Sequence, residues 1–228
     1  RVFWATERTP HHAQQRGGAF DSLIKNDFLG YSPKEGRNRV RIIPPGPASE
    51  YWGEEIMVHY NVGPDNQSYV CLKSIGQKAC PVCDERRRAA GTDPDYVADL
   101  APSRRYLVWV IDRAAEDEGP KIWSMPQTLD SDIAALSVDS DGAVIPLDHP
   151  EDGFDLEFMR AGMDKKTRYK AIQLARRSAP LSDDPETQRD WLDYVSKSEL
   201  LETLVAYSYE HIQEIFAGAK GKDEGKDE

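Results

Sequence analysis

Glu55-Ile56-Met57-Val58-His59-Tyr60 and Ser68-Tyr69-Val70-Cys71-Leu72, parted by the polar turn Gly63-Pro64-Asp65-Asn66, read as a β-hairpin that sets His59 and Cys71 on adjacent strands. Just downstream stands the knuckle Ala79-Cys80-Pro81-Val82-Cys83, and Cys71, Cys80 and Cys83 are the only cysteines of the chain. One short region thus offers three thiolates and an imidazole, the donor set of a tetrahedral zinc site. Three thiolates leave such a site anionic, and four protein ligands leave no position for water. A centre of this kind clips a fold together and is a poor Lewis acid.

Other readings of the same residues compete. The thiols can be buried and inert, with His59 an ordinary strand histidine. A redox Cys-x-x-Cys belongs at the start of a helix after a buried strand and needs no third thiol. Here the knuckle follows the polar turn Lys73-Ser74-Ile75-Gly76-Gln77-Lys78, and an odd number of cysteines fits a disulfide framework badly. His11 and His12 compete with His59 for the fourth place if the N-terminal segment folds back.

Outward from the hairpin, the chain reads mostly as strands. Arg39-Val40-Arg41-Ile42-Ile43 alternates before Pro44-Pro45 stops it, which puts Val40 and Ile42 in a core and Arg39 and Arg41 on the solvent face. A short basic helix from Asp84 to Ala90 is followed by a loop with Pro94 and Pro102, then by the strongest strand, Arg105 to Asp112, and by Lys121 to Met125. Leu129, Ile133 and Leu136 line one face of a helix from about Pro126 to Val138. Gly153 to Met159 and Thr167 to Leu174 form a second hairpin; Phe154, Leu156 and Phe158 point inward, Asp155 and Glu157 outward, and Tyr169 and Gln173 turn out. Pro185 to Phe216 reads as helical, broken near Ser196-Lys197-Ser198-Glu199 with Ser198 as a cap.

Short antiparallel strands leave exposed edges unless they close, so the expected fold is mainly β with helices. A small barrel of the oligonucleotide-binding (OB) type would carry a zinc-binding insertion and C-terminal helices. The expected layout is an N-terminal arm over 1–36, a core over 37–180 with the insertion at about 59–91, a helical segment over 181–217 and a disordered acidic tail over 218–228. The formal charge of −11 is unevenly spread, with 13 acidic against 5 basic residues from Leu181 onward. The preceding part is therefore close to neutral, and the acidity does not exclude a nucleic-acid surface there. No apolar stretch reaches the length of a membrane span. The chain begins at Arg1 rather than at a methionine, the pattern of a trimmed sequence, and an intracellular, soluble protein is expected.

Barrels of this type hold unpaired nucleic acid on strand-borne aromatics, with cations tracking the phosphates. The aromatic candidates are Tyr60, Tyr69, Tyr106, Trp109, Trp123 and Tyr169, with Trp52 beside them. The cationic candidates are Arg37, Arg39, Arg41 and Lys73, then Arg104, Arg105, Lys121 and Arg168, with Lys165, Lys166 and Lys170 nearby.

The run Asn38-Arg39-Val40-Arg41-Ile42-Ile43-Pro44-Pro45, then His59-Tyr60, Tyr69-Val70-Cys71 and Cys80-Pro81-Val82-Cys83-Asp84, resembles the zinc-containing single-stranded DNA-binding (helix-destabilising) proteins of tailed bacteriophages. The resemblance runs by motif from Arg37 to Ile111 and beyond that only by layout. It implies an OB fold with one structural zinc held by His59, Cys71, Cys80 and Cys83, and a DNA cleft lined by the surrounding aromatics and cations. It also implies sequence-independent protection of single-stranded DNA in phage replication, recombination and repair, in the cytoplasm of the infected cell. An acidic C-terminal tail would compete weakly for the groove and recruit replication or recombination proteins. Two departures stand out. Arg1 to Gly18 is mixed rather than basic, and the tail lacks the hydrophobic tip that bacterial single-strand binders use to recruit partners.

Other classes stay in view. A zinc deaminase needs His-x-Glu ahead of Pro-Cys-x-x-Cys, whereas His149-Pro150-Glu151 follows the cysteines within a surface turn, so no enzymatic activity is expected. A zinc-stabilised adaptor or regulator acting through protein surfaces is the alternative of another kind, and it predicts no salt-dependent affinity for oligonucleotides.

Overall fold

The computed structural model describes residues 20–218 apart from 45, 47–48 and 163–165. His11, His12, Lys165, most of the expected N-terminal arm and the expected tail lie outside the described residues. Seven strands are present: β1 (Gly36–Ile43), β2 (Gly53–Val62), β3 (Gln67–Val70), β4 (Ser103–Asp112), β5 (Lys121–Pro126), β6 (Leu156–Ala161) and β7 (Arg168–Leu174). Among the described residues five helices accompany them: α1 (Pro81–Arg88), α2 (Pro94–Asp99), α3 (Gln127–Leu136), α4 (Pro185–Ser196) and α5 (Tyr209–Phe216).

The strands form one mixed-in-helices, antiparallel sheet in the order β3-β2-β4-β1-β6-β7, with β5 added to β4. The path ends on β3 and β7 and is not closed, which corrects the expected barrel. Closure was inferred from the need to protect edges, and at β7 that need is met otherwise. The strand carries exposed Arg168 and Lys170, Ala171 adopts φ 49°, and the β6–β7 register shifts between Glu157 and Met159. Charge and a local irregularity are two ways of blunting an edge without closing the sheet.

The chain divides into two compact units, which among the described residues comprise 20–54 with 106–203, and 55–105 with 204–218. In the first, Val40 and Ile42 of β1, Val108 and Val110 of β4 and Leu156 and Phe158 of β6 share a core with Trp123, Leu129 and Ile133. Trp123 stacks on Phe158 with centroids 5.2 Å apart. Leu129 and Ile133, one helical turn apart, seat α3 on this core, while Leu136 is only half-buried.

The opposite face of β4 is covered as well. Trp109 lies 6.1 Å from Phe28 and 5.8 Å from Tyr194 of α4, which Asp184 caps by accepting from the Glu186 and Thr187 amides. A strand covered on both sides has no solvent face, and this is why alternation fails for Arg41. Its side chain is fully buried, and Nη2 donates to the carbonyls of His149 (2.7 Å) and Ala179 (2.9 Å). Gly153 lies so close that a Cβ there would sit 2.5 Å from Arg41 Nη2 and from two carbonyl oxygens.

Asp155, expected on the outside, is buried for the same reason. It accepts from Arg39 Nε (2.8 Å) and from Arg113 Nε (3.0 Å) and Nη2 (2.9 Å), and lies 3.7 Å from Arg41 Nη1. Burial lowers the Arg41 guanidinium to about 10 against the pull of Asp155, so it remains charged at neutral pH.

In the second unit, Val62, Tyr69, Leu72, Val82, Leu100 and Ile212 form the core. Gly63, at φ 71°, touches α5 so closely that a Cβ would meet the Ile215 carbonyl at 2.5 Å. Tyr69 packs edge-on against Tyr207 at 5.0 Å. Two expectations are revised. The loop after α1 contains α2, opened by an Asp93 cap and Pro94 at its first turn. The long C-terminal helix is instead α4, a 3-10 turn over Leu200–Thr203, and α5 capped by Ser208 rather than Ser198. Leu200, Thr203 and Leu204 are buried, so this segment packs as core instead of continuing a helix.

Asp155→Ala leaves three guanidiniums without their shared carboxylate and should cost about 3–5 kcal/mol, whereas Glu157→Ala on the open surface should cost under about 1 kcal/mol. Urea unfolding of the two variants measures the difference.

Candidate metal centre and nucleic-acid interface

The four metal-ligand candidates converge. His59 is carried by β2, Cys71 lies between β3 and a 3-10 turn over Leu72–Ile75, Cys80 is the cap residue of α1, and Cys83 is in its first turn. Their donor atoms all lie within 4.8 Å of one another. His59 Nε2 is 3.5 Å from Cys80 Sγ and 3.4 Å from Cys83 Sγ, and Cys71 Sγ is 3.5 Å from Cys83 Sγ. A tetrahedron with zinc–sulfur bonds of ~2.3 Å and a zinc–nitrogen bond of ~2.0 Å has edges of roughly 3.5–3.8 Å. The cluster can therefore hold a metal ion, and its donors and spacing are compatible with structural zinc.

Local structure orients each donor. The Cys71 amide donates to the Met57 carbonyl (2.7 Å), and Ser74 Oγ bridges the Met57 amide and the Cys71 carbonyl, which ties the turn to β2. Lys73 Nζ reaches Asp84 Oδ1 at 3.0 Å and ties the same turn to α1. His59 Nδ1 is 3.2 Å from the Leu100 carbonyl oxygen. A carbonyl only accepts, so Nδ1 carries the proton and Nε2 turns its lone pair toward the sulfurs.

The thiols are not equivalent. A hydrogen bond from Cys71 lowers Cys80 to about 3, helped by the Cys83 amide at the start of α1. Cys71 is pushed up by its bond to Cys80 and by burial, and burial also raises Cys83. His59, Cys71 and Cys80 are buried, and Cys83 is partly open.

His149 has no part in such a centre. Its Nδ1 accepts from the amides of Glu151 (3.2 Å) and Asp152 (3.0 Å) and closes a turn.

Of the nucleic-acid candidates, Arg41, Tyr69, Trp109, Lys121 and Trp123 are buried and present no charge or ring face to a ligand. Lys121 is paired with Asp112 (3.6 Å) and Glu118 (2.5 Å), and Trp123 supports Phe158 and Tyr169 from below. In the second unit, Arg104 lies 3.4 Å from Glu55, Lys73 is held by Asp84, and Tyr60 and Arg105 are half-buried. Burial raises the Tyr60 hydroxyl, against the nearby Arg105 charge.

In the first unit, Arg37, Arg39 and Arg168 are exposed and are brought to one sheet face. Arg37 pairs with Met159, and Met159 with Lys170, so β1, β6 and β7 present these three residues in one row. The next row is Arg39, Glu157 and Gln173; the row on the other side carries Ala161 and Arg168. Arg39 Nε is anchored on Asp155.

Tyr169 faces the other way, edge-on to Phe158 at 5.7 Å, which corrects its expected outward position. Tyr106 lies half-buried, 6.0 Å from Tyr51. Tyr51 went unnoticed in the sequence; its ring lies tilted 4.4 Å from that of Trp52, and its hydroxyl donates to the buried Asp130 at 2.7 Å. A Tyr-Trp pair ahead of a strand was the available signal, but the carboxylate that fixes it is 79 residues away.

Cys80→Ser removes the best-stabilised thiolate. Metal binding by the cluster predicts one equivalent in the wild-type chain and its loss in the variant, with the first proteolytic cuts falling within 55–105. Elemental analysis and mass-mapped limited proteolysis test both expectations. No helix among the described residues is long and apolar enough to cross a membrane. Comparison with known proteins finds no protein-family model and no curated relative that matches the chain, so the reading of its role rests on this geometry.

Proposed function

We propose that the chain is a sequence-independent single-stranded DNA-binding protein with one structural zinc, acting to protect unpaired DNA in phage replication and recombination. The observation that carries this reading is the sheet face of the first unit, where Arg37 and Arg39 on β1 and Arg168 and Lys170 on β7 stand exposed to either side of β6, with Glu157 the one acidic side chain among the paired positions. Cations fixed on strands neutralise phosphates without reading bases.

In this reading the sheet is an oligonucleotide-binding sheet that stays open. Zinc is a structural ion: Cys3His uses all four tetrahedral positions, and binding of this kind supplies roughly 10–16 kcal/mol that becomes folding energy. The role is binding rather than catalysis. Replication or recombination proteins are the partners assigned to the acidic C-terminal region, and the site of action is the cytoplasm of the infected cell.

Fluorescence titration of single-stranded and duplex oligomers against salt tests the reading. Single strands should bind more tightly, with a negative log–log slope of about 0.7 per phosphate neutralised. Arg37→Ser and Arg168→Ser should each flatten the slope by about 0.7. A flat salt dependence, or equal affinity for duplex, points instead to an adaptor acting through protein surfaces.

A further inference from the structure

The exposed face of β1, β6 and β7 has an order within it. Its cations stand on the outer two strands, Arg37 and Arg39 on β1 and Arg168 and Lys170 on β7, while β6 between them offers Met159 and Ala161. Met159 is 42% exposed. Among the described residues it is the one exposed large hydrophobic side chain that lies in a strand of the sheet; Tyr96, Val138, Val144 and Leu201 are in helices, turns or an isolated bridge. Across β6, Glu157 ends the apolar stretch and is engaged by Gln173 Nε2 at 2.9 Å.

Two outer rails one strand spacing to either side of β6 lie roughly 10 Å apart. That is wide enough for a base to rest on the central strand while phosphates reach a rail. A thioether also makes favourable contact with a flat aromatic ring. From this we infer that Met159 is the base-contacting residue of the face: an unpaired strand lays bases over Met159 and Ala161 and its phosphates on the cations of β1 and β7. This inference rests on the nucleic-acid reading of the same face and adds to it a division between base and phosphate contacts.

The test compares a single-stranded oligomer with an abasic oligomer of equal length and charge, on the full chain. Wild type should bind the base-containing strand several-fold more tightly. Met159→Ala should weaken that strand about two- to tenfold and leave the abasic strand unchanged. Met159→Phe, which offers a larger ring surface, should tighten the base-containing strand alone. Val144→Ala, exposed elsewhere, should alter neither. As an independent readout, the base-containing strand should protect Met159 from conversion to its sulfoxide by hydrogen peroxide, followed by mass spectrometry.

Equal affinity for the two oligomers, with the salt slope retained, would overturn the role of Met159 and leave the phosphate-binding face standing. An unchanged base-containing affinity in Met159→Ala would do the same. Failure of wild type to bind either oligomer would overturn both readings.

Discussion

Four donor atoms gathered within 4.8 Å bring three segments of the second unit to one point that could hold a metal ion. A body of this size buries only about 60% of the surface its unfolded chain exposes, and units this small commonly lean on a metal or disulfides. The cluster gathers β2, the turn after β3 and the start of α1, segments that also share the apolar core of Val62, Tyr69, Leu72 and Val82 and a half-exposed ion pair between Lys73 and Asp84. Surface pairs of that kind contribute ~1 kcal/mol or less. Thiolates gathered this closely repel one another, and a divalent cation turns that repulsion into attraction. The hydrogen bond between Cys71 and Cys80 holds the Cys80 thiol down and, with burial, pushes the Cys71 thiol up.

In the first unit the governing constraint is where the sheet is covered. Along one face of β1, Arg41 is fully buried, Arg39 is half-open and anchored on Asp155, and Arg37 is exposed. The same residue type thus passes from structural to solvent-facing within five positions. At the buried end the cost of burying a guanidinium is met by two carbonyls and by Asp155. Arg41 Nε and Nη1 nevertheless make no hydrogen bond, so the site tolerates incomplete satisfaction. Asp155 serves both ends, because the carboxylate that compensates Arg41 and Arg113 also fixes Nε of Arg39 and leaves the far side of its fork toward solvent.

This gradient explains how much was legible in the sequence. The four donors of the candidate metal cluster were readable because they lie close along the chain and their chemistry depends on residue type and spacing. Strands and α3 were readable from periodicity, with ends displaced by a few residues. The second covered face was not readable. Whether Arg41 and Trp109 face solvent depends on segments near 149 and 179 and on α4, which are remote in sequence and contribute mostly backbone carbonyls and packing surface. The inward turn of Asp155 follows from the same covering, and the fixing of Tyr51 by Asp130 is also long-range. The barrel failed for a related reason. Edge protection is a real requirement, but it has several solutions, and β7 uses charge and an irregular backbone.

Antiparallel register then settles what a hydropathy reading leaves open. Alternation places Arg37 and Met159 each on some face of its own strand, but only the pairing of Arg37 with Met159 and of Met159 with Lys170 makes them neighbours. A shift of one residue in either ladder would turn Met159 toward the core and bring Phe158 out among the cations. That alternative is blocked on the other face, where Phe158 is locked between Trp123 and Tyr169 with its ring nearly parallel to the indole. The aromatic stack in the core therefore fixes the register, and through the register it fixes which side chains meet on the open face. Trp123 and Tyr169 act on any ligand of that face from behind the sheet, by holding β6 in place.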